Sequence, residues 1–399
     1  MAGAGSGRDT AAMPACPPPT HDARPALAQG VHVRARAAQA PSALYAALCD
    51  WLSRFGLAQQ ARLHLSSDAQ GALVCAALAD EGLVRWAPGF DTLGLARTLA
   101  LDASGSPADL RREIVLALLA APQALVFDSF EELEAAVGVR ARIAQAARRT
   151  ALAFDTAAAE RPPEYWHYCD QHGFLLKPGQ CLIAALRAAT QPEATGRRYD
   201  FSCYRATEYV ILLGLAQELA ERNPALLQAI AEHSRRRAIR SGQFHEVFLT
   251  EYGSAERPIP PRYYVPGDRV WFRNPDERSA DIAGYEGSWV IYLGAGQFSN
   301  FWKREQPYDF EGKCVEIHHW RDGVVVGPEG ELEMDETLVD RHTQATLDDA
   351  GRRATVLARM QRPRDPKGVY AEGGCIDTTR EFPRPLCVGT ADIRLPALV

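Results

Sequence analysis

From Tyr209 to Ala216 the chain reads Tyr-Val-Ile-Leu-Leu-Gly-Leu-Ala, apolar almost all round. A helix with that composition has no face to offer water, so it must be covered by other elements. The segment containing it begins near Ser202, runs to about Arg222 and is stopped by Asn223-Pro224. Beyond a second helix and the basic run Arg235-Arg236-Arg237, the pattern changes to strands. Asp268 to Phe272 and Ser288 to Leu293 read as two of them, Gln297 to Lys303 as a third and Cys314 to Trp320 as a fourth. Pro266-Gly267-Asp268 and Gly294-Ala295-Gly296 supply turns. A buried helix followed by antiparallel strands is an α+β plan.

The preceding sequence divides into three parts. Residues 1–30 are rich in Ala, Gly and Pro, lack the features of a secretory signal, and read as disordered. Residues 31–126 read as a mainly helical region, with alternation in Ala61 to Leu65 and Leu73 to Cys75 that hints at a small hairpin. Ser129-Phe130-Glu131-Glu132 has capping-box spacing before a helical pattern, so a new domain, read as residues 127–330, is expected to start there. Residues 331–399 read as a C-terminal extension.

Composition excludes some functions. Lys and Arg number 44 against 50 Asp and Glu, a net charge of −6, which gives no global attraction to nucleic acid or anionic membrane. The longest apolar stretch, Ile114 to Phe127, is interrupted by Pro122-Gln123 and falls short of the roughly 20 residues of a membrane span. Nine scattered cysteines argue for a reducing, cytoplasmic setting rather than a disulfide framework.

One of those cysteines, Cys203, falls within the first turn of the apolar helix, whether Asp200 or Ser202 is its cap; Cys169 and Cys181 lie on or near elements that could face the same core, so position alone does not choose among the three. Unpaired backbone N–H groups there favour a thiolate, and Arg197, Arg198 and Arg205 add positive charge nearby, so a lowered thiol pKa is expected. A nucleophile also needs a base. Glu286, just before the second strand, is the first candidate, with Gly287 free to form a bulge that adjusts it. His318 and His319 follow, and His319 is expected to share a strand face with Val315 and Ile317. The adjacent Cys314 and Glu316 lack metal-ligand spacing, so no metal is expected.

The helix from Phe130, Tyr165-Trp166, Gly173 to Lys177, Tyr199 to Cys203, Gly267 to Pro275 and Gly287 to Gly294 form an ordered set of segments. That set resembles the spore-coat type of bacterial transglutaminase. The resemblance implies a core like that of papain-like cell-wall cysteine peptidases, with the cysteine-bearing helix packed on a small antiparallel sheet. It implies acyl transfer from a protein glutamine to a lysine amine through a thioester, with Cys203 as nucleophile and no cofactor. The partners would be proteins bearing glutamine and lysine. The family carries a glutamate before the cysteine, another early in the strand near Ser288 and a histidine on the following strand; this chain has Ser202, Ser288 and Phe301 there. A glutamine deamidase or an amidase or peptidase of the same superfamily, or a catalytically inactive binding homologue, are the alternatives.

Overall fold

A computed structural model describes residues 29–154, 159–239, 241–368 and 371–397, so residues 1–28 of the leading segment lie outside it. The first unit is built on β1 (Val31–Arg34), β2 (Ala61–Asp68), β3 (Gly71–Leu78) and β4 (Leu125–Phe127), in the order β2-β3-β1-β4. The expected hairpin is β2–β3. It is widened by β1, antiparallel to β3 and parallel to β4, so the region holds a sheet as well as helices. Both added strands are too short to declare themselves, and β4 is hidden at the end of an apolar run. Helices α1 (Pro41–Arg54), α2 (Asp80–Trp86), α3 (Leu95–Thr98) and α4 (Pro107–Leu119) accompany the sheet. Leu44, Leu48, Trp51 and Ile114 join Val31, Val33 and Val74 in one core.

Helix α5 (Phe130–Arg149) carries two apolar stripes. Leu133, Val137, Ala141 and Ala144 face that first core, whereas Ala135, Val139, Ile143 and Ala146 face the next. These i, i+4 rows make α5 a wall shared by both units. Ser129 Oγ accepts the Glu132 N–H at 3.2 Å, as the capping motif requires. The Glu132 carboxylate instead accepts from the backbone N–H groups of Leu386 and Cys387, at 3.2 and 2.6 Å.

The second unit begins with β5 (Ala153–Phe154), the hairpin β6 (Trp166–Cys169) and β7 (Gly173–Leu176), helix α6 (Leu182–Thr190), and β8 (Asp200–Phe201), which pairs with β5. The apolar helix is α7 (Cys203–Arg222), buried as its composition demands, and α8 (Pro224–Arg236) and α9 (Ser241–Phe248) follow it. A six-stranded sheet comes next: β9 (Leu249–Tyr252), β10 (Arg269–Arg273), β11 (Gly287–Gly294), β12 (Gln297–Phe298), β13 (Tyr308–Asp309) and β16 (Arg380–Pro383). Its order is β13-β12-β11-β10-β16-β9, with antiparallel pairing throughout. Short α10 (Glu277–Ala280) lies between β10 and β11, and the hairpin β14 (Val324–Val326) and β15 (Leu332–Met334) precedes α12 (Glu336–Asp348) and α13 (Ala350–Met360). Strand β16 inserts between β9 and β10, so the segment read as an extension supplies an interior strand of the main sheet.

Two strand assignments are corrected. Cys314–Trp320 is not a strand: helix α11 (Phe310–His319) occupies this stretch, with Asp309 accepting the Gly312 N–H at 2.8 Å as its cap. Val-Glu-Ile-His imitates alternation, but Phe310, Cys314 and Ile317 form the helical stripe that is buried. The strand expected over Gln297 to Lys303 ends at Phe298. There Ser299 takes over the edge of β11, its N–H donating to the Ile291 carbonyl and its Oγ accepting the Ile291 N–H.

The sheet is a partition. Ile291 and Leu293 pack with α7 residues Val210 and Ile211, whereas Val290 and Tyr292 pack with Cys314 and Ile317 of α11. The first unit is docked on this partition through Glu113 of α4, whose carboxylate accepts the Ala295 N–H at 2.9 Å and meets the Tyr292 hydroxyl at 3.2 Å. The turn that offers Ala295 has positive φ at Gly294, Ala295 and Gly296.

Candidate active site

Cys203 is the first residue of α7 and Ser202 is its cap, with Oγ accepting the Arg205 N–H at 3.4 Å. The thiol lies in a cleft of about 430 Å³ between the start of α7, the open edge of β11 and helices α11 and α12. Backbone geometry explains why the sulfur sits there. In β11, Tyr292 donates to the carbonyl of Asp268, the residue before β10, and alternation then turns the N–H groups of Trp289 and Gly287 away from β10. At Ile291 that outer edge is taken by Ser299; at Trp289 it is taken by the cysteine.

The backbone N–H groups of Trp289 and Tyr204 act on the sulfur, and both favour the thiolate. Burial is the larger influence and pushes the thiol up, and the Glu286 carboxylate adds to it. The lowered pKa expected of a helix start is therefore not what the resting site has. The arginines expected to help are engaged elsewhere. Arg205 pairs with Glu208 at 2.7 Å, Arg197 pairs with Glu160, and Arg198 reaches the Trp302 carbonyl.

The cation that does act on the sulfur is Lys313, which lines the same cleft. It is buried, with Nζ 2.8 Å from Glu316 and 3.9 Å from the centre of the Tyr308 ring. These partners outweigh its desolvation and hold its pKa above the usual lysine value. Sequence reasoning missed it because a strand reading of this stretch hides the i, i+3 relation of Lys313 and Glu316 on one helix face.

Glu286 is exposed beside β11, and its carbonyl accepts the Asn274 N–H at 3.1 Å. It acts on the sulfur through its charge. The bulge expected at Gly287 is absent, since Gly287 pairs with Arg273 in unbroken register. Glycine is needed there for another reason: a Cβ would lie 2.2 Å from Trp271 Nε1. Ser288, by contrast, lines the cleft.

His318 and His319 are not on a strand but in the last turn of α11, and neither lines the cleft. His319 has both ring nitrogens occupied, Nδ1 by Asp322 at 2.6 Å and Nε2 by Thr346 at 2.7 Å. Burial, with Arg321 nearby, pushes His318 down to about 4. Phe154 and Trp302, in edge contact at 5.1 Å between ring centres, form an aromatic wall of the cleft. Elsewhere, His245, Glu251 and Glu381 bring ligand atoms within 4.8 Å of one another. Glu381 is already shared between His245 at 2.9 Å and Arg269 at 3.1 Å, so a metal ion would face a guanidinium. No helix among the described residues is long and apolar enough to cross a membrane.

A family model described as protein-glutamine gamma-glutamyltransferase matches residues 95–372. No curated protein sequence matches the chain. Among solved structures, a transglutaminase from Geobacillus stearothermophilus (without C-terminal extension) is similar at 16% identity, with a TM-score of 0.38. The similarity covers 54% of this chain and 97% of that one.

Proposed function

Because the chain belongs to the protein-glutamine gamma-glutamyltransferase family, we propose that it joins protein glutamine to lysine through a thioester on Cys203. The observation that carries this reading is the placement of a thiol at the start of a buried helix, in a cleft, with two backbone N–H groups directed at its sulfur. Protein substrates follow from the family, and both groups must enter the cleft that Cys203 lines.

In the first step Cys203 gives its proton to Glu286, and the sulfur attacks the glutamine carboxamide carbon. The C–N bond then breaks as the nitrogen takes up that proton and leaves as ammonia. In the second step a lysine amine attacks the thioester carbon, giving its proton to Glu286; the thiolate departs as the isopeptide bond forms and takes that proton back, restoring thiol and carboxylate. The resting thiol is held protonated by burial, so the charge made in these steps needs support. Lys313 and the two N–H groups supply it. Phe154 and Trp302 limit access of water to the thioester, which favours amine over hydrolysis. A core like that of the papain-like peptidases is the fold on which this chemistry is expected.

The test uses a glutamine-bearing protein and a labelled primary amine. Stable incorporation that is abolished by Cys203→Ala supports the reading. Ammonia release without incorporation assigns hydrolysis instead, and incorporation that survives Cys203→Ala removes Cys203 from the mechanism.

A further inference from the structure

Arg269 is, with Arg380, among the largest fully buried side chains of the described residues, and nothing in the acyl-transfer steps above employs it. It belongs to β10, pairs across the ladder with Ile291 of β11 and Glu381 of β16, and has no exposed side-chain surface. One guanidinium nitrogen donates to Glu381 at 3.1 Å. Nε and the other terminal nitrogen are buried and have no hydrogen-bond partner among the described residues. The rings explain this, because the guanidinium carbon is 4.2 Å from the centre of Tyr204 and 4.2 Å from the centre of Trp289. The two rings also touch, with centres 5.2 Å apart and planes at 89°. Trp271 stacks on Trp289 at 5.5 Å and 8°.

Tyr204 and Trp289 are also the residues whose backbone N–H groups meet the Cys203 sulfur. One belongs to a helix start and the other to a strand edge, and no backbone ladder joins them. Their side chains meet on Arg269. We infer that Arg269 is a positioning residue that pins the start of α7 to β11 through the Tyr204 and Trp289 rings, and so sets two N–H groups on the nucleophile's sulfur. The planar cation suits this task, because it can offer N–H edges to two aromatic faces while a carboxylate holds one corner. Lysine has the charge without the plane. This inference rests on the reading of Cys203 as nucleophile.

The test is the pH dependence of Cys203 alkylation by iodoacetamide, followed by peptide mapping of all the cysteines. The variants are Arg269→Lys and Arg269→Met with Glu381→Gln, the latter so that no buried carboxylate is left unpaired. In both, the alkylation midpoint of Cys203 is expected to move up and its rate at neutral pH to fall about tenfold, while Cys169 and Cys181 keep their rates. An unchanged Cys203 profile in both variants overturns the clamp. So does a wild-type profile in Arg269→Lys alone, which would mean that charge and not the plane matters. If amine incorporation survives Cys203→Ala, the nucleophile reading itself fails, and the midpoint comparison still decides the clamp.

Discussion

Replacing Glu113 by Gln is expected to make the protein's stability less dependent on pH. Glu113 is fully buried in α4 and accepts the Ala295 N–H at 2.9 and 3.0 Å through its two oxygens. Burial raises its pKa from 4.5 to about 7, although that N–H and the Tyr292 hydroxyl oppose the rise. A carboxyl that binds its proton more tightly when folded favours the folded state while protonated. The contribution is therefore complete below about pH 4.5 and is lost as pH rises through about 7. The difference between the two values, at 1.36 kcal/mol per factor of ten in proton affinity, gives about 3 kcal/mol as an upper bound. Glutamine keeps an acceptor for Ala295 and cannot ionise, so urea denaturation at pH 5 and pH 8.5 should show the stability difference between Glu113→Gln and the unaltered protein moving in favour of the variant at the higher pH. A difference that is the same at both pH values, or moves the other way, refutes the reasoning.

Two further outcomes follow from buried charge. Lys313→Met should slow Cys203 alkylation at neutral pH by on the order of tenfold, by removing the nearby cation and leaving Glu316 unpaired; a faster rate contradicts it. Arg140→Met should cost about 3–5 kcal/mol in urea denaturation, since Arg140 lies 2.5 Å from the equally buried Asp268, whose other oxygen accepts the Val265 N–H. A loss below about 1 kcal/mol would show that Asp268 does not stay buried and charged.

What the sequence reveals divides along physical lines. Helix α7 was legible because eight consecutive apolar residues leave no alternative to burial, and its start because Ser202 and Asn223-Pro224 bracket it. Strands β10 and β11 were legible from aromatic and β-branched runs between glycine turns. Helix α11 was not, because Val315 to His318 alternates over four residues and only Phe310, three turns of context and the Asp309 cap reveal the helix. That error hid Lys313, and it set His318 and His319 on a strand that does not exist. Strand β16 was illegible for another reason: four residues ending in proline signal little by themselves, and their place is fixed by pairing with β9 and β10. The family match starting at residue 95, inside the region read as a separate helical unit, fits the double-faced role of α5. Cys203 is singled out by the ordered segments around it, since its position at a helix start does not by itself separate it from Cys169 and Cys181, and the sign of its pKa change runs opposite to expectation. Helix-start polarity can be seen in sequence; desolvation in a cleft depends on neighbours that are far away along the chain.

The central claim is that the acyl group passes through Cys203. It is tested most directly by quenching the protein with acid during reaction with a glutamine-bearing donor peptide and mapping every cysteine by mass spectrometry. The account predicts that the peptide containing Cys203 carries the donor mass less ammonia, and that an added primary amine discharges it. An adduct on another cysteine, or product formation with every cysteine free throughout, would contradict it.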